Sequence, residues 1–213
     1  MAIFLAVSGF LFWYTCLLRG TTDVSGYYTV LMLAYVVVLP LLTMRSLADE
    51  RRQGTDQLLL TSPVPIAKIV ISKFFACFTM FLLTIAITSL YLIPLAKYGS
   101  PNVGRIIGCL IGTVLIAACF ISIGIFVSSL TKSLFAASLG TIAVIILMLA
   151  AGLISDYVSS GFIKTVIGWI SIYSRFAYFT YGMFDVASIV YYISISAVFL
   201  FLTVRVYERR RYS

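Results

Sequence analysis

Histidine is missing altogether, and with it the commonest general base, metal ligand and proton relay. Charge is sparse too. Asp, Glu, Lys and Arg make up 10% of the 213 residues, and none falls in the middle of a long apolar run. Ion-coupled carriers ordinarily keep an ionisable residue at membrane depth, so this composition argues against coupling to protons. The phosphate loop G-x-x-x-x-G-K-[ST] does not occur; Lys132-Ser133 follows Leu130-Thr131 without the cradling glycine. The chain is therefore not expected to hydrolyse ATP, and no catalytic residue can be named. A lipid phosphatase or intramembrane protease also fits poorly, because no paired intramembrane acids are present. Cys16, Cys77, Cys109 and Cys119 sit in apolar runs without a C-x-x-C pair. They read as small buried hydrophobes, and no metal ligand is expected. Met1 to Leu18 lacks a basic n-region, and Trp13-Tyr14-Thr15 before Cys16 lacks the small residues of a lipoprotein cleavage site.

What is present is apolar. Hydrophobic residues make up 62% of the chain and mean hydropathy is +1.11, which describes a polytopic membrane protein. The fold class is all-α, with six expected spans at about 3–18, 27–43, 69–95, 106–130, 134–154 and 186–204. Spans of this kind use roughly 120 residues and leave no room for a soluble catalytic domain. The net charge of +8 reports the positive-inside rule rather than nucleic-acid affinity. If the longest polar loop is cytoplasmic, so are ten of the fifteen bases: Arg45, Arg51, Arg52, Lys68, Lys73, Lys132, Arg205, Arg209, Arg210 and Arg211. Both termini are then expected on the cytoplasmic side of the cell membrane.

That loop, Met44 to Pro65, is the only long charged interruption. Asp49, Glu50, Arg51, Arg52 and Asp56 precede Leu58-Leu59-Leu60, and Pro63 and Pro65 stop any helix. It is expected to form a short helix along the membrane face. Gly54 either permits close backbone approach or ends the first part of that helix.

The run D-E-R-R-Q-G-T-D-Q-L-L-L-T-S-P-V, followed by I-A-K-I-V-I-S-K-F, resembles the coupling segment of ABC-2 type permeases. The later run S-R-F-A-Y-F-T-Y-G-M-F-D-V-A-S-I-V-Y-Y, with its closing E-R-R-R, is similar to the gliding-motility branch of that family. The resemblance implies one ABC-2 transmembrane domain over residues 1–213, with Asp49, Glu50, Arg51, Arg52, Gly54, Thr55 and Asp56 facing a separate ATPase subunit. ATP and Mg would be bound by that subunit and no cofactor by this chain. It further implies a dimer with a second permease copy or close homologue. Residues 156–185 would form an extracellular re-entrant hairpin, with Trp169, Tyr173, Phe176, Tyr178 and Phe179 as its gate. Relatives usually begin with an amphipathic interfacial helix, whereas this sequence opens directly into apolar residues.

Two further patterns carry alternatives. Gly104, Gly108 and Gly112 recur at i+4, a small-residue face used for packing within one subunit or as a dimer seam. Thr84, Thr88 and Tyr91 share a helical face and are pathway candidates, although hydroxyls bonded to their own helix are commoner. The expected function is an exporter permease powered by a partner ATPase. The alternative is a non-transporting module that relays an ATPase cycle to an extracytoplasmic accessory protein. Membrane lipid is an expected partner and nucleic acid is not.

Overall fold

A computed structural model describes residues 2–17, 24–54, 64–93, 95, 102–157 and 171–211, all helical or short connections. Helix α1 (Ala2–Phe12) continues as one π turn (Trp13–Leu17). It is followed by α2 (Ser25–Gln53), α3 (Ile66–Ser89), α4 (Val103–Leu130), α5 (Leu134–Tyr157), α6 (Ile172–Thr180) and α7 (Val186–Arg211). Five of these, α2, α3, α4, α5 and α7, are long and apolar enough to cross a membrane. The first expected span appears as a shorter apolar helix, Phe4–Cys16. A helix of that length covers about 20 Å, against a hydrocarbon core of about 30 Å. It runs antiparallel to α2, with Phe4 stacked on Tyr35 at 5.4 Å and Phe12 edge-on to Tyr27 at 5.5 Å.

The middle of the bundle is α4. Within its most apolar stretch 61% of residues are buried, against 22% in α3 and α7, whose outer faces present Phe75, Leu83, Val190 and Phe201 to the surroundings. Helices α2, α3, α5, α6 and α7 all pack on it. A side chain that associates with lipid as readily as with another helix gives little drive to assemble, so membrane helices rely on close backbone approach. The α2 crossing shows this. A Cβ built on Gly124 would come within 2.9 Å of Thr43 Cβ, so α2 rests directly on the α4 backbone there. Pro40, buried inside α2, removes one helical N–H three residues earlier. The Thr43 hydroxyl meanwhile donates to the Leu39 carbonyl at 3.0 Å.

The largest departure from the expected boundaries is at the end of α2. The span was expected to stop at Thr43, but the helix runs ten residues further and carries Asp49, Glu50, Arg51 and Arg52 with it. Nothing from Met44 to Gln53 breaks a helix, and Arg51 and Arg52 in the last turn complement its dipole. Gly54 ends it, in the left-handed region at φ 73°, with its N–H donating to the Glu50 carbonyl. The first half of the expected surface helix is thus the end of the span itself. The second half, with Thr55 and Asp56, lies outside the described residues. Helix α3 stops at Ser89 rather than Leu95, its last turn tightening as Leu90 N–H reaches Ile87 and Tyr91 N–H reaches Thr88, both at 3.1 Å.

Chain directions sort the charges. Phe126 of α4 meets Phe199 of α7, and Tyr192 of α7 lies level with Leu115 and Ala118 of α4, so these two helices run parallel. The C-terminal ends of α2, α4 and α7 and the start of α3 therefore share one end of the bundle. We call it the basic end, since Arg51, Arg52, Lys68, Lys73 and Arg209 to Arg211 all lie on those segments.

The α2–α4 crossing makes a direct test. Gly124→Ala is expected to destabilise the purified chain by about 1–3 kcal/mol through overpacking. Gly26→Ala, whose new Cβ meets nothing within 4 Å, should be neutral or slightly stabilising in a thermal melt.

Candidate functional site

At the basic end, the charged extension of α2 is tied to two other helices. The Ser128 hydroxyl of α4 accepts from the N–H groups of Leu47 (3.3 Å) and Ala48 (2.9 Å) and donates to the Met44 carbonyl (3.1 Å). One buried hydroxyl therefore engages three backbone groups of α2 where the helix leaves its apolar stretch. Arg51 Nη1 donates to the Ser129 carbonyl at 2.9 Å, satisfying an end carbonyl of α4. Lys73 of α3 donates to Glu50 and forms an ion pair with it. Both side chains remain about a quarter exposed, so the pair itself contributes little stability and acts chiefly as a positional link. The seven expected coupling residues thus divide. Glu50 and Arg51 turn toward the chain's own α3 and α4, Asp49 is half-buried, and Arg52 and Gly54 are exposed. Thr55 and Asp56 lie outside the described residues.

At the opposite end, α6 is an amphipathic helix laid against α4. Phe176 and Phe179 are buried, whereas Tyr173 and Tyr178 are exposed. A Cβ on Gly108 would fall 2.6 Å from the Phe179 carbonyl oxygen, and one on Gly112 would fall 2.8 Å from Phe179 Cβ. Gly104 differs: its Cβ would meet only the Asn102 side chain, which caps the start of α4 by accepting from the Gly104 and Arg105 N–H groups. Gly108 and Gly112 therefore receive α6 of the same chain. Both ends of α6 are held. The Tyr192 hydroxyl donates to the Ile172 carbonyl at 2.8 Å, and the Ser25 hydroxyl donates to the Thr180 carbonyl at 3.0 Å. The helix closes in a Schellman motif, with Gly182 at φ 76° donating to Phe179 and Met183 donating to Tyr178, both at 3.0 Å. Trp169 lies outside the described residues.

Asp185 follows this motif and caps α7. Its carboxylate accepts from the Ala187 N–H (3.2 Å), the Ser188 N–H (3.1 Å) and the Ser188 hydroxyl (2.7 Å). The Ser188 hydroxyl, with the two backbone donors and the more distant Arg175, holds the carboxyl below its ordinary range. Arg175 makes no ion pair with it and instead lies over the Tyr191 ring, 4.4 Å from the centroid.

The pathway candidates sit in the packing of α1 against α3. Thr84 donates to the Met80 carbonyl at 2.8 Å and Thr88 to the Ile85 carbonyl at 2.9 Å, so each hydroxyl bonds its own helix. Tyr91 stacks on Phe12 and donates to the Leu5 carbonyl at 3.3 Å. Sequence reasoning passed over Ser128, Gly124 and Thr43. The only signal was the pair Ser128-Ser129 closing a long apolar run. Among the described residues no cluster of three or more metal-ligating side chains occurs.

A family model described as an ABC-2 family transporter protein matches residues 19–207. No curated protein and no solved structure matches the chain.

Two substitutions separate the ends of the bundle. Ser128→Ala removes the hydroxyl that serves Met44, Leu47 and Ala48, and should cost about 1–3 kcal/mol. Its amide exchange should accelerate at Leu47 and Ala48 while the α6 amides stay protected. Gly108→Ala collides with backbone rather than a yielding side chain and should give the reverse pattern, with α6 exposed and the basic end intact.

Proposed function

Since the chain belongs to the ABC-2 family of transporter proteins, we propose that it is the membrane-spanning permease subunit of an ATP-driven exporter. In this reading a separate ATPase subunit binds ATP and Mg, and a second permease copy completes the pathway. The tail motif Tyr181-Gly182-x-x-Asp185 followed by Tyr191-Tyr192 supports a place in the gliding-motility branch. The observation that carries the mechanism is the triple link at the basic end. A charged helix end that swung freely would lose any displacement imposed on it. Here Ser128, Arg51 and Glu50 join it to α4 and α3, so a push on Arg52 and Gly54 is delivered to three helices together. Concentration of Lys and Arg at this end supports a cytoplasmic location for it, with the α6 end facing outward.

The division of the α2 charges sets the test. Arg52→Glu reverses an exposed charge that has no fold role in this reading. It should lower co-purification of the ATPase about tenfold or more, with an unchanged melting temperature of the isolated subunit. Glu50→Lys should loosen the end of α2 from α3, read as faster amide exchange there with little change in melting temperature, and Lys73→Glu in the same chain should partly reverse it. If Arg52→Glu and Asp49→Arg both retain the ATPase and support wild-type vesicle transport, the docking assignment is wrong.

Topology is checked with a cysteine-free background. In right-side-out vesicles an impermeant thiol reagent should label Tyr181→Cys and leave Gln53→Cys untouched until the membrane is opened. The opposite pattern would invert the assignment.

A further inference from the structure

Arg175 is the one described cation at the α6 end whose guanidinium has neither a hydrogen-bond acceptor nor a carboxylate at bridging distance among the described residues, and its Nε is buried in that condition. Arginine carries five donors in a rigid fork, so a partly buried copy without acceptors is costly unless something else supplies them. The nearest acid does not. Asp185 spends its oxygens on Ala187 and Ser188 at the start of α7. The guanidinium is nonetheless held in place, stacked over the Tyr191 ring.

From Arg175 toward the end of the bundle the chain turns outward. Tyr178 lies one turn further along α6 and is exposed, and beyond it Tyr181, Met183, Phe184 and Val186 are each more than half exposed. Tyrosines edging a stretch of exposed apolar side chains mark the interfacial belt of a membrane protein, where headgroups lie. Phe176 and Phe179 on the other side of α6 are locked into α4, so this rim cannot turn inward.

We propose that Arg175, oriented by Tyr191, holds the phosphodiester of a phospholipid headgroup in the leaflet at the α6 end. The planar fork matches two phosphate oxygens at once, and the acyl chains lie against the apolar side chains beside it. This site does not depend on transport or on an ATPase partner.

The full chain, purified in detergent, is titrated with phosphatidylglycerol and bound lipids are counted by native mass spectrometry. The wild type should hold one tightly bound lipid, and R175Q should weaken that lipid about tenfold, the scale of a charge-assisted contact. R175K keeps the charge without the fork and should fall between them. If R175Q does not fold, Y191L takes the stacking surface from under the guanidinium and should show a smaller loss. Two controls identify the ligand: diacylglycerol, which lacks phosphate, should bind without sensitivity to residue 175, and glycerol phosphate should compete only weakly. Wild-type retention in R175Q and Y191L would overturn the site. Equal residue-175 dependence for diacylglycerol would overturn the phosphate contact. Glycerol phosphate competing as well as the whole lipid would overturn the lipid source in favour of a soluble anion.

Discussion

The constraint on which the bundle depends is the close backbone approach to α4. In an apolar medium, apolar side chains gain little by leaving lipid for protein, so contact distance decides which helices stay together. Thr43 of α2 reaches α4 at Gly124, and Phe179 of α6 reaches it at Gly108 and Gly112. Gly140 of α5 comes close to Val127 in the same way. Side chains at those positions would push the neighbours outward and leave voids between them. The exposed faces of α3 and α7, by contrast, carry large apolar residues with nothing to meet inside the chain.

Polar groups complete what contact distance begins. Inside the apolar stretches, Thr84, Thr88, Thr113 and Ser122 donate to carbonyls of their own helices, which removes the cost of a bare hydroxyl. Among the described residues, bonds that join helices occur toward the two ends. Ser128 and Arg51 fasten α2 to α4 at the basic end, and Ser25 and Tyr192 fasten α6 at the other. Ser128 and Tyr192 are themselves fully buried, so these links are shielded from water and costly to leave unmade.

Much of the fold was legible in the sequence because apolar runs report burial in lipid directly. The helices of α4, α5 and α7 begin within a few residues of the expected spans. The end of α2 was misplaced for a physical reason: charge marks where a segment enters water, but it does not mark where a helix stops. Only Gly54 carries the stop signal, and its glycine character was visible while its left-handed backbone was not. At the candidate sites, the stripe of Gly108 and Gly112 was readable as a close-contact face, but its occupant was not, because α6 arrives from seventy residues away. Ser128 was invisible for a related reason. A serine at the end of a span looks like a polar boundary, and only the fold shows α2 backbone beside it.

One feature of α2 has a mechanical meaning. The helix meets the α4 backbone at Thr43, with about 15 Å of helix toward Gln53 and about 27 Å toward Ser25. The short arm is clamped to α4 by Ser128 and Arg51. The long arm ends at Ser25, bonded to the last carbonyl of α6, and α6 itself rests on Gly108 and Gly112 of α4. Helix α2 is thus splinted to α4 along its length, so a displacement of the charged tip carries α4 and the aromatic helix at the far surface with it as one body.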